Sequence, residues 1–131
     1  MTTAPARISV SHGGHEQVLP QAADAARQVT SLLQAHVDAS DVTISIRPSD
    51  HHGLILVALE SGRAFVGLET AGGVYQYIAD AAAEGTRQFL IGGQSTAIDA
   101  RYVLSIPQAI ELLKACMTKP DPFAATAWER Q

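Results

Sequence analysis

The chain has 131 residues, 47% of them hydrophobic and 17% charged, with 13 acidic and 9 basic side chains and a net charge of -4. That length suffices for one core hiding roughly two thirds of the unfolded surface, so a single domain over residues 1–131 is expected, with no need of a metal or disulfide staple. A mildly acidic chain with no cluster of Lys and Arg is a poor partner for phosphate backbones, which argues against direct nucleic-acid binding.

Cys116 is the only cysteine, which excludes an internal disulfide. It falls on the apolar side of a predicted helix and reads as a buried thiol used as a small hydrophobe. No basic N-terminal region precedes a long apolar run, and no stretch approaches a membrane span. A cytoplasmic protein without membrane contact is the expectation.

Arg7 to Ser11 alternates and reads as a short strand, and Ser11-His12-Gly13-Gly14-His15 as a turn or loop. A helix is predicted from about Pro20 to Val37. Ala22, Ala26, Val29, Leu33 and His36 recur there at three- and four-residue spacing, with Ala25 and Leu32 beside them, as one apolar stripe. Val42 to Arg47 alternates cleanly, with Val42, Ile44 and Ile46 inward. Leu54 to Leu59 is a continuous apolar run that suits a central strand covered on both faces. Glu60-Ser61-Gly62-Arg63 reads as a hairpin connection and Ala64 to Glu69 as the next strand. In Val74 to Ile78, Tyr75 and Tyr77 share one face and Val74, Gln76 and Ile78 the other.

Asp80 to Gly85 is alanine-rich and reads as a loop or one helical turn. Arg87 to Ile91 is a strand ended by Gly92-Gly93, and Thr96 to Asp99 pairs briefly. Ser105 is placed to cap a helix starting near Pro107, whose buried stripe is Ala109, Ile110, Leu113, Cys116 and Met117. Lys119 to Pro122 stops that helix, and Ala125 to Glu129 is a closing strand whose Trp128 anchors the end of the chain. The sum is an α+β fold: an antiparallel meander of about five to six strands with two main helices packed on it.

No residue set specifies catalysis or a metal. His12 and His15 straddle two glycines, which does not place both rings on one face as a helical His-x-x-x-His would, and His51-His52 sits in a polar turn. No serine lies in a Gly-x-Ser-x-Gly elbow. Gly92-Gly93-Gln94-Ser95-Thr96 lacks the lysine and the following helix of a phosphate loop. No enzyme activity, cofactor or metal is expected.

One ordered set of features carries a resemblance. It runs from Gly85-Thr86 through the Arg87 to Ile91 strand and the Gly92-Gly93 break to Tyr102-Val103-Leu104 and Ile106-Pro107. It continues with a helix turning Ala109, Leu113 and Cys116 inward, the Thr118-Lys119-Pro120 stop and a final Ala127-Trp128. From about Leu54 to Trp128, somewhat more than half of its length, the chain resembles in its order of features a family of bacterial immunity proteins from polymorphic-toxin systems, paired with toxins of the nucleic-acid deaminase fold. Pro122-Phe123-Ala124-Ala125 makes a longer link to the last strand than that family has.

The resemblance implies a cytoplasmic inhibitor that binds a cognate protein toxin. It transfers no individual binding residue. From composition, Tyr75 and Tyr77 are core if a helix covers them and partner anchors if their face is open. With Asp80 and Glu84 as an acidic rim without structural duty, and Thr86 beyond them, they form the candidate toxin interface. A secretion chaperone or adaptor for an effector, and a small histidine-dependent metal or ligand-binding protein, are the alternative readings.

Overall fold

The computed structural model describes residues 7–13, 15–19, 25–47, 53–118 and 128–130. The strands are β1 (Arg7–His12), β2 (His15–Val18), β3 (Val42–Arg47), β4 (Leu54–Glu60), β5 (Arg63–Thr70), β6 (Gly73–Tyr77), β7 (Thr86–Ile91), β8 (Gln94–Asp99), β9 (Val103–Ser105) and β10 (Trp128–Arg130). The helices are α1 (Ala25–Ala35) and α2 (Ile106–Thr118). Eight strands form one antiparallel sheet in the order β2-β1-β3-β4-β5-β6-β10, with β9 also on β5, while β7 and β8 form a separate ribbon.

The α+β class and the β3 to β6 meander follow the sequence expectation, but the sheet exceeds five to six strands. The additions were hidden for local reasons. All four residues of β2 are exposed, so it has no inside-outside alternation to read. β9 has three residues, of which only Leu104 is buried, and the Thr96 to Asp99 segment extends to the six residues of β8, which pairs in the separate ribbon and not in the sheet. Where a turn or loop was expected from Ser11 to His15, His12 and His15 are register partners of β1 and β2.

Tight turns make the meander possible. Between β4 and β5, Ser61 and Gly62 take φ of 48° and 86°, and between β7 and β8, Gly92 and Gly93 take 61° and 80°. Positive φ at both central residues matches the right-handed twist of the flanking strands. Gly53, at the start of β4, is required for another reason: a Cβ there would lie 2.1 Å from the Glu69 carbonyl oxygen of the neighbouring strand.

The alternation sorts side chains to two sheet faces. Val42, Ile44 and Ile46 of β3, Ile55, Val57 and Leu59 of β4, and Ala64, Val66 and Leu68 of β5 meet Val29 and Leu33 of α1 and Leu113 of α2 in the main core. Each large aliphatic buried this way contributes about 1.5–3 kcal/mol relative to exposure. The opposite face holds a second, smaller core, in which Ala58 packs with Phe89, Ile98 and Tyr102, flanked by Phe65 and Val103. The run from Leu54 to Leu59 thus serves both faces, as expected, with helices on one side and the β7–β8 ribbon on the other.

The predicted stripe of α1 holds where it is described, with Val29 and Leu33 buried, while Pro20 to Asp24 lie outside the described residues. In α2 the burial of Ala109, Leu113 and Cys116 is joined by Ile106 and Leu112. Ser105 caps α2 as expected. Its Oγ accepts from the Gln108 N–H at 3.2 Å, and the Gln108 Oε1 accepts from the Ser105 N–H at 2.9 Å, a reciprocal capping box. The stop at 119–122 and the link at 122–125 lie outside the described residues.

Candidate interface at the branch of the sheet

β5 is paired by β4 along one edge and by two strands along the other. β9 takes Arg63 to Phe65 and β6 takes Gly67 to Thr70. From that branch β9 runs into α2 and β6 into the loop 78–85, and a groove opens between them. One part, about 350 Å³, is mostly apolar, with Tyr77, Ala79, Leu104 and Leu112 in its walls and Glu111 at its border. A second part, about 500 Å³, is polar and bordered by Arg63, Asp80, Glu84, Arg87 and Ser105. Leu104 belongs to both walls.

The loop between them is held at both ends. The Arg101 carbonyl accepts from the Ala79 N–H at 2.8 Å and from the Asp80 N–H at 3.2 Å, and the Ala100 N–H donates to the Gly85 carbonyl at 2.9 Å. Asp80 and Glu84 are exposed, but Asp80 is not idle, contrary to the sequence expectation. Its carboxylate accepts from the Ala82 N–H at 3.0 Å and its carbonyl from the Ala83 N–H at 3.1 Å, so it shapes the turn. This is the local side-chain-to-backbone bonding that makes Asp a turn former. The rim is also not purely acidic, because Arg63 and Arg87 line the same polar recess.

Tyr75 and Tyr77 do share a face, and it is the helix side. Both are half-buried and packed against the main core, so they are not free anchors. Tyr77 still borders the groove, whereas its strand neighbour Tyr75 does not. Trp128 of β10 sits opposite Tyr77 in register, with ring centroids 5.4 Å apart and planes at 76°. It is half-buried on an edge strand rather than deep in the core. Thr86 begins β7, exposed and paired with Asp99.

Arg101 is the residue that composition did not suggest. Its guanidinium lies 3.3 Å from Asp99 and 3.4 Å from Glu129 of β10, donates to the Tyr102 hydroxyl at 3.1 Å, and stands 5.1 Å from the centroid of that ring. It therefore joins the ribbon's exit to the closing strand. The Arg101 N–H and guanidinium hold the Asp99 carboxyl below its ordinary range, and Asp99 in turn pushes Arg101 up. The Asp-x-Arg spacing at 99–101 was a readable cap signal, since Asp99 accepts from the Arg101 N–H at 3.0 Å. The contact to Glu129, 28 residues on, had no local signal.

The histidines correct one expectation. His12 and His15 are register partners and so share a sheet face, where two glycines between them had suggested otherwise. The His12 and His36 rings lie edge to face at 6.0 Å. Among the described residues no group of three or more His, Cys, Asp or Glu is placed to hold a metal, and His51 and His52 lie outside those residues. No described helix is long and apolar enough to cross a membrane. No protein-family model matches the chain, and no curated protein matches it.

Proposed function

We propose that the protein is an immunity protein that binds and inhibits a cognate bacterial toxin of the nucleic-acid deaminase type in the cytoplasm of the producing cell. It acts by binding and not by catalysis. The ordered resemblance from about Leu54 to Trp128 supports the family. The observation that carries the interface is the loop 78–85, which presents Asp80 and Glu84 to solvent while tied at both ends to residues 100 and 101.

A loop already held in one shape loses little conformational freedom on binding, so more of its contact energy appears as affinity. Beside it, the apolar recess bordered by Tyr77 and Leu104 offers a place for one large side chain of the partner, the usual anatomy of a tight interface. A toxin that binds nucleic acid is basic at its working face, and a deaminase needs an open pocket for its target base. An acidic loop inserted there blocks the pocket or the strand channel, and charge attraction speeds capture.

The test is to establish whether a deaminase-fold toxin is encoded directly upstream and to co-express that toxin with this chain. Wild type restores growth. Asp80→Asn with Glu84→Gln removes both charges while leaving an oxygen to accept from the Ala82 N–H, so the turn is kept and association slows, most at low salt where charges are least screened. Growth arrest unrelieved by the wild-type chain would overturn the immunity reading. A double variant that associates at the wild-type rate in low salt would place the interface elsewhere.

A further inference from the structure

Arg7 of β1 and Arg47 of β3 are register partners, and both are exposed. Their neighbours Ile8 and Ile46 turn into the helix-side core, so both guanidinium groups stand on the opposite face of the sheet. Like charges directly opposite each other destabilise a strand pair, and no described carboxylate forms an ion pair with either arginine. One step along, Ser9 and Ser45 are also partners on that face, with Val18 opposite Ser9. A cavity of about 370 Å³ is bordered by these residues and by Leu54 of β4. Val18 is 72% exposed, the most exposed large hydrophobic residue among those described.

We propose that this slot binds a small phosphate monoester whose ester group is apolar. Two opposed guanidinium forks match a dianion, because a carboxylate neutralises only one of them, whereas a phosphate monoester carries close to two charges and three acceptor oxygens at neutral pH. The Ser9 and Ser45 hydroxyls are the next donors along the slot, and Val18 and Leu54 form the wall for the ester group. Glu16 also borders the cavity and repels a second anionic group, which selects against polyphosphates and nucleic-acid strands. The site lies on the face away from α1 and α2 and is independent of the toxin reading.

The probes are phenyl phosphate, inorganic phosphate and benzoate, titrated into isotope-labelled protein while the backbone amides of Arg7, Ser9, Val18, Ser45 and Arg47 are followed by NMR. Phenyl phosphate gives saturable shifts confined to this slot and binds more tightly than benzoate. Arg7→Gln and Arg47→Gln each weaken it about tenfold, the loss expected for one charge-assisted pair of hydrogen bonds. Val18→Ser weakens phenyl phosphate but not inorganic phosphate. Arg47→Lys, which keeps the charge and drops the fork, serves where the glutamine variant unfolds, and it loses part of the affinity. Absence of saturable shifts, wild-type affinity in the arginine variants, or benzoate binding as tightly as phenyl phosphate would each overturn the proposal.

Discussion

At the scale of single residues, Glu60 shows how a polar side chain can hold two layers together. Its carboxylate accepts from the Leu90 N–H at 2.9 Å and from the hydroxyls of Ser40 and Ser61, latching the β7–β8 ribbon to the tip of the β4–β5 hairpin. Partial burial by itself raises this carboxyl, but the hydrogen bonds from Ser40, Leu90, Ser61 and Asp41 outweigh it and hold it below its ordinary range. A depressed folded value contributes stability that is complete above the unfolded pKa and is lost as pH falls through the folded one. Glu60→Ala should therefore cost about 0.5–1.5 kcal/mol at neutral pH, allowing for its solvent exposure. Denaturant melts should show the difference from wild type vanishing in strong acid. Cys116 is the opposite case. Burial pushes its thiol up to about 11, so the folded protein should resist iodoacetamide at neutral pH and react only as it unfolds, which mass spectrometry can follow.

At the scale of elements, β10 is only three residues long and depends on its side chains to stay docked. Trp128 on Tyr77 and Glu129 on Arg101 supply that hold. Because the indole is half-buried, Trp128→Ala should cost about 1.5–3 kcal/mol, short of the roughly 3–5 kcal/mol of a fully buried aromatic. A urea midpoint equal to wild type would show that the ring carries no packing energy. The α2 capping box illustrates the other extreme, an element end specified wholly by two side chains three positions apart.

At the scale of the molecule, β5 is the centre. It is bonded to β4 on one edge and shared by β6 and β9 on the other, and helices and ribbon cover its two faces. The ribbon, by contrast, pairs only with itself; a small buried cluster and a few polar contacts, among them the Glu60 latch, the Gly93 N–H on the Asp41 carboxylate and Asp99 on Arg101, hold it to the rest. Native-state hydrogen exchange should therefore find the β4 and β5 amides slowest, near the limit of global unfolding, and those of β7 and β8 opening earlier as a unit. Equal protection of ribbon and central strands would mean that the two cores unfold together.

Local pattern alone was enough for β3, β4, β5 and both helices, because period and capping chemistry act within a few residues. The inward set Val42, Ile44, Ile46 and the Ser105 cap needed no tertiary knowledge. The apolar run Leu54 to Leu59 was legible as a central strand touched on both faces, fully buried on the helix side and, on the ribbon side, buried only at Ala58. Local pattern could not reveal β2, which is exposed at every position, nor what covers Tyr75 and Tyr77. Nor could it show that Asp80 spends its carboxylate on its own turn, or that Arg101 reaches Glu129. The paired arginines at 7 and 47 are the clearest instance. Their positions are forty residues apart in sequence, and only the register of β1 against β3 sets the two charges side by side, because strand pairing turns distance along the chain into adjacency across the sheet.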